Sequence, residues 1–296
     1  AMPGLLDCPA PCSKANSDAN DVVRAAERVL AGAVRGGAAA PSPVANLAIE
    51  VRGFGFSYGA FRALDGVSFE ARAGEVFALC GPRGCGAQTM LCAIGRTLPG
   101  VGEWESEGDI LVAGTSVVHD VSPDRARNLA ATAFAKGLPE EQSVFNALAR
   151  PLRLRGVHDD AALRDAIDAA LDAAGAGSLL APRMGGRTCS LPPLDQRLVR
   201  LVQALLLDPQ VLLVEEPMRG LSCEDAHFMQ GTLRRIAKSR GIAVVIASCD
   251  AHEVDALADR AAFFLEGRLV EVGAPGELAS PNADYRARSF FEGRMR

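Results

Sequence analysis

The chain predicts an α/β domain, a parallel sheet with crossover helices that is preceded by antiparallel strands and interrupted by a helical insert. Three observations predict it. The apolar run Val76 to Cys80 leads into a glycine-rich loop, Gly81 to Gly86, and then into a helix start, Thr89 to Ile94, the order of a buried strand, a tight turn and a helix. Strand-like runs at Val211 to Val214 and Ile242 to Ala247 alternate with helical segments at Leu194 to Leu207 and Ala226 to Ser239, the pattern of parallel strands joined by helices. Between these halves, from about Ser143 to Arg183, the chain is rich in Ala and Leu at helical spacing (Ala162, Leu163, Ala166, Ile167, Ala170, Leu171) and holds no strand-like run.

Taken in order, residues 1–45 are rich in Ala, Gly, Pro and Ser, and their only periodic apolar pattern runs from Val22 to Val34, accompanied by Arg24, Arg28 and Arg35. They read as a flexible tail carrying one short helix. The folded domain is expected over residues 46–296. It opens with apolar segments, Leu47 to Val51 and Val67 to Glu70, separated by Gly and charged turns as in antiparallel strands. The helical subdomain is expected over about 143–196, and there is no internal repeat.

With 49% hydrophobic and 23% charged residues in 296, the chain has the make-up of a globular protein rather than a disordered one. A net charge of −5 argues against a general nucleic-acid or anionic-membrane surface. The longest apolar stretch, Leu198 to Val214, is broken by Arg200, Gln203, Asp208 and Pro209, short of the roughly 18 to 20 residues of a membrane span, so no direct membrane insertion is expected. No positively charged segment precedes a short apolar core near the amino terminus, and a cytoplasmic location is expected. The eight cysteines, at 8, 12, 80, 85, 92, 189, 223 and 249, lack paired spacings and are expected as reduced thiols. Cys8 and Cys12 have no second pair nearby to complete a zinc site.

At Gly81-Pro82-Arg83-Gly84-Cys85-Gly86-Ala87-Gln88-Thr89 the spacing is that of a Walker A loop, whose glycines let successive backbone N–H groups turn toward phosphate oxygens. Here the sequence resembles the ATP-binding cassette (ABC) ATPases, from about residue 47 to the end. The likeness is strongest to their phosphate-importer subfamily, in Gly81-Pro82 with Gly84-Cys85-Gly86, in Asp259-Arg260 through Phe263-Phe264 to Gly273, and in the tail from Phe290 to Arg294. The resemblance implies a P-loop NTPase-like nucleotide-binding domain with an antiparallel β subdomain and an inserted helical subdomain. It also implies ATP and Mg²⁺ as ligands, transmembrane permease subunits of a phosphate importer as partners, and a head-to-tail cassette dimer. Gly81, Arg83, Gly84, Cys85, Gly86 and Thr89 would then cradle the phosphates, and Tyr58 would stack on adenine.

The chemistry departs from that pattern. The family's loop ends in Lys followed by Ser or Thr, because an ammonium must reach the β- and γ-phosphates and a hydroxyl must bind Mg²⁺; this chain has Ala87 and Gln88. Arg83 is a conceivable replacement cation, at a position a cassette turns toward solvent. In Phe134-Ala135-Lys136, Ala135 stands where the family's Q-loop has Gln. The signature Leu-Ser-Gly-Gly-Gln reads Ser190-Leu191-Pro192-Pro193-Leu194, and its two prolines remove N–H donors while still starting a helix well. At the Walker B strand end Glu215 replaces the Asp that orders Mg²⁺, while Glu216 matches the catalytic base and is the only catalytic candidate kept. Ser222 replaces the D-loop Asp and Cys249 the switch His; His252 reads as a surface residue about one helical turn away.

These departures act on one transition state, and losing a single well-placed donor costs about 2 to 4 kcal/mol, so nucleotide binding is expected to be weak or absent and hydrolysis defective. Pairing with an intact cassette would not rescue either site. Each composite site takes a Walker A loop from one partner and a signature from the other, and both are altered here. The expectation is a hydrolysis-defective cassette acting as a scaffold or regulator at a phosphate permease. Two alternatives remain open: a functional ATPase energising phosphate import through Arg83, Glu215 and Glu216, and a cassette fold repurposed to bind another protein or ligand.

Overall fold

The computed structural model describes residues 46–98, 104–133 and 142–295. The predicted tail with its helix from Val22 to Val34, the Cys8–Cys12 pair and Ala135 lie outside them.

The described residues open with a long hairpin, β1 (Leu47–Tyr58) and β2 (Phe61–Arg72), turning through Gly59 at φ +55°. Strand β1 also pairs antiparallel with β4 (Trp104–Val112), with Ile49 opposite Val112, and β4 pairs with the short β5 (Thr115–Ser116), giving a four-stranded sheet in the order β2-β1-β4-β5.

The second sheet holds β3 (Val76–Cys80), β6 (Ala130–Ala133), β7 (Val211–Glu215), β8 (Ala243–Ser248), β9 (Arg260–Leu265) and β10 (Arg268–Gly273), in the order β10-β9-β3-β8-β7-β6. All its neighbours run parallel except β10, which returns antiparallel along β9. Its central strands read as unbroken apolar runs because both faces are covered. Along β3, Val76, Ala78 and Cys80 enter one core, packed with the helical insert, while Phe77 and Leu79 enter the other, packed with the antiparallel sheet. The predicted α/β class is therefore observed, with the antiparallel lead-in and the helical segment both present.

Helix α1 (Ala87–Ile94) follows the glycine loop and α2 (Pro123–Leu129) precedes β6. The insert contributes α3 (Val144–Leu154), α4 (Asp160–Ala174) and the single turn α5 (Gly177–Leu180) before α6 (Pro193–Leu205). Caps punctuate it where sequence preference puts them: the side chains of Ser143 and Asp159 accept from the N–H groups of Asn146 and Ala162, and Gly175 closes α4 in the left-handed region. Pro151 sits inside α3 and cannot donate to the Ala147 carbonyl one turn back. Gln203 of α6 supplies the missing donor, its Nε2 lying 2.7 Å from that oxygen, so a defect in one helix becomes a tie between two. The chain then passes through α7 (Cys223–Arg240), α8 (Ala251–Leu257), α9 (Pro275–Leu278) and α10 (Tyr285–Phe291), whose Phe290 packs on Phe263 of β9.

Candidate functional site

A cavity of about 660 Å³ opens at the carboxyl ends of β3, β7 and β8, bordered by the glycine loop, the β1–β2 hairpin and the β9–β10 turn. Clefts of this size at this end of a parallel sheet are where α/β proteins hold ligands. Among the residues singled out from the sequence, the cavity brings together Tyr58, the whole loop from Gly81 to Thr89, Glu215, Glu216 and Cys249. Leu191, Pro192, Pro193, Ser222 and His252 are not part of its wall.

The loop owes its shape to its glycines. Gly84 and Gly86 have φ of +79° and +105°, and Gly86 precedes the first turn of α1 without any side-chain cap. The loop is clipped to its surroundings through Cys85, whose N–H donates to the Pro82 carbonyl at 3.0 Å and whose carbonyl accepts from Gly267 at 2.9 Å. Ala87 is buried and presents only a methyl group to the cavity. Arg83 is exposed at the rim, and its positive charge acts on Cys249.

Two carboxylates end β7, and the protein engages both. Gln88 donates from Nε2 to Glu215 Oε1 at 2.5 Å, joining the first turn of α1 to the end of β7. Glu216 adopts φ +39°, with its N–H donating to the Ala247 carbonyl of β8 at 2.8 Å. Its Oε2 accepts from Arg219 at 2.6 Å and its Oε1 from the Cys249 thiol at 3.3 Å. Burial pushes that thiol above its ordinary range, the neighbouring Glu216 carboxylate adds to the shift, and Arg83 opposes it, so Cys249 is held as a protonated donor. Below this layer Arg197 of α6 donates to the carbonyls of Glu216, Pro217 and Arg219, fixing the turn after β7.

The donor set does not suit Mg²⁺. A divalent cation needs oxygen ligands in near-octahedral array, whereas an amide NH₂ lies against one oxygen of Glu215 and a guanidinium against one of Glu216. The cavity volume lies in the range of about 300 to 1,000 Å³ typical of small-molecule sites. Tyr58 stands at the cavity wall, edge-on to Phe56 at 4.8 Å between ring centroids, beside Phe61, which is 67% exposed.

The altered signature segment lies apart from this cavity. Pro192 caps α6 without a side-chain hydrogen bond, Pro193 is its first residue and both are exposed, whereas Leu191 is buried. The first turn also contains buried Asp195, paired with Arg183, so the positive end of the helix dipole already faces a protein carboxylate. Ser222 caps α7, its hydroxyl accepting from the Asp225 N–H at 3.1 Å. His252 is exposed in the first turn of α8.

Sequence reasoning did not find Arg219, Phe61, Asp195 or the buried Glu253. Arg219 follows Glu216 by three residues, but no pattern distinguishes it from any surface arginine. Glu253 accepts from the Met218 N–H at 2.8 Å and the Ser248 hydroxyl at 2.6 Å, tying α8 to the turn after β7. Burial raises its pKa above the ordinary carboxylate value, with the two hydrogen bonds opposing the shift. A folded-state pKa raised above the unfolded one means that its contribution to stability is fully present below the unfolded value and is lost as pH rises through the folded one. Glu253→Gln, uncharged and similar in shape, is expected to melt close to the native chain near about pH 4 and above it toward about pH 8. Parallel melting profiles across that range would count against this assignment.

Among the described residues the six cysteines are free, no group of three or more His, Cys, Asp or Glu side chains could hold a metal, and no helix is long and apolar enough to cross a membrane.

Comparison with known proteins bears on the family and the fold. A family model described as "ABC transporter" matches residues 64–219. The chain is 24% identical over 251 residues to the phosphate import ATP-binding protein PstB of Desulfitobacterium hafniense, covering 84% of this chain and 96% of that protein. It is 26% identical over 250 residues to phosphate import ATP-binding protein PstB 2 of Aliivibrio fischeri, covering 84% and 91%. Among solved structures, cbiO1 from Clostridium perfringens, part of the ABC transporter complex cbiONQ, superposes with a TM-score of 0.69 at 22% identity, over 84% of this chain and 97% of that one.

Proposed function

The chain belongs to the ABC transporter family, and on that premise we propose that it is a hydrolysis-defective ATP-binding subunit that serves as a scaffold or regulator at the permease of a phosphate importer. Its likeness to phosphate import ATP-binding proteins, at about one residue in four, supports the substrate class and the membrane partner. In this reading the protein spans residues 46–296 as a single cassette, acts at the cytoplasmic face of the membrane through its partner, and can pair head to tail with another cassette.

The observation that carries the proposal is the state of Glu216. A general base needs lone pairs that are not drawn off by a cation or a donor, because each of these lowers its basicity. Here each Glu216 oxygen already accepts from the protein, one from Arg219 and the other from Cys249. Ala87 adds a second lesion, since no ammonium extends from the loop to draw charge off the phosphates.

The test combines two assays on the full chain. Phosphate release should stay at the blank rate with Mg²⁺ and ATP, and the chain should co-purify with the phosphate permease subunits when co-expressed with them. Steady-state hydrolysis that disappears in Glu216→Gln would replace this reading with a working importer ATPase. Silence in both assays would leave a cassette fold turned to some other binding role.

A further inference from the structure

We propose that this cassette has exchanged its divalent-cation site for protein donors, so that it takes the phosphates of a nucleotide without Mg²⁺. The inference rests on the reading of the cavity as a nucleotide site and deepens it.

In a metal-dependent site the cation does two jobs. It neutralises phosphate charge, and it shields the incoming anion from the carboxylates that hold the metal. Both jobs have protein substitutes here. The Gln88 amide sits against Glu215 at 2.5 Å, joining the two positions to which the family resemblance assigns the Mg²⁺-binding hydroxyl and carboxylate. Because an amide nitrogen is a donor, it can satisfy a carboxylate but cannot ligate a metal. Glu216 is ion-paired with Arg219 at 2.6 Å and accepts a hydrogen bond from the Cys249 thiol at 3.3 Å. An anion entering the cavity therefore meets a hydrogen-bonded Glu215 and an ion-paired Glu216, not two bare carboxylates. Arg83, at the rim beside Cys249, adds a positive charge on the same wall.

Mg²⁺ would have to break the Gln88–Glu215 contact and compete with a guanidinium already in place. The bound nucleotide should then gain little from the metal. This removes the usual dependence, in which the metal–nucleotide complex is the preferred ligand.

The experiment is calorimetric titration of the full chain with ATP, once in EDTA and once in MgCl₂, alongside the Gln88→Ser, Glu215→Asp double variant, with phosphate release followed in the same samples. The native chain should bind with affinities that agree within about twofold in the two buffers, while the double variant should bind at least about tenfold more tightly with Mg²⁺, a difference near 1.4 kcal/mol. Tenfold or greater tightening of the native chain by Mg²⁺ overturns the proposal. So does the absence of ATP binding in both buffers, or a folded double variant that still ignores the metal. Turnover of ATP by the native chain would instead overturn the proposed function, whatever the metal dependence of binding.

Discussion

Replacing Ala87 by Lys and Gln88 by Ser is expected to raise affinity for ATP about ten- to a hundredfold, since one charge-assisted hydrogen bond is worth about 1.5 to 3 kcal/mol. The gain comes from position. Ala87 opens the first turn of α1, immediately after a loop whose backbone is already bent for phosphate, and it lines the cavity. A lysine there would extend its ammonium toward the cavity that Ala87 lines. The Gln88→Ser change releases Glu215 from the amide that now engages it. Turnover is not expected to follow. Glu216 would remain tied to Arg219 and Cys249, and the exposed prolines at the start of α6 would still offer no N–H to a phosphate from a partner. Calorimetry with ATP and a phosphate-release assay on the same preparation measure both halves. An unchanged affinity in a folded variant would mean that the loop is not shaped for phosphate. A measurable rate would mean that Glu216 can escape its clamp.

The sequence shows this fold wherever one residue's neighbours in the chain determine its environment. The run Val76 to Cys80 could be read as a buried strand because both of its faces enter a core, and the glycine loop because it turns where other residues strain. The helical insert was visible in its Ala- and Leu-rich composition and its helical spacing. What stayed hidden are partnerships made across the chain. Gln88 and Glu215 are 127 residues apart, and no local pattern says that an amide at one position answers a carboxylate at the other. From the sequence, Gln88 reads only as a poor metal ligand, whereas in three dimensions it is a donor that removes the need for one. Pro151 argues locally against a helix, and only Gln203, 52 residues later, makes it tolerable. Asp195 looks like an ordinary helix-start acid until its burial beside Arg183 shows that the helix end is already in use.

Gly81→Ala is expected to lower stability by about 2 to 5 kcal/mol, from steric overlap together with backbone strain. A Cβ built at Gly81 would lie 2.2 Å from the Phe264 carbonyl oxygen and 2.9 Å from the Cys85 sulfur, at a φ of +152°. The carbonyl belongs to β9, which runs parallel to β3 in the centre of the sheet, so it cannot withdraw without disturbing the pairing of both strands. Gly84→Ala is the control. At φ +79°, with nothing within 4 Å of the added carbon, it carries strain alone and should cost only about 1 to 2 kcal/mol. Urea denaturation of the two variants measures the difference, and equal losses would show that the loop does not press on β9 as described. The contrast bears on how the motif is interpreted. Gly81 is required by packing against the sheet whether or not a nucleotide ever binds, while positions 87 and 88 line the cavity at the start of α1. A chain can therefore carry the glycines of a phosphate loop as a matter of folding, and its nucleotide chemistry has to be judged from Ala87, Gln88 and the clamped Glu216 instead.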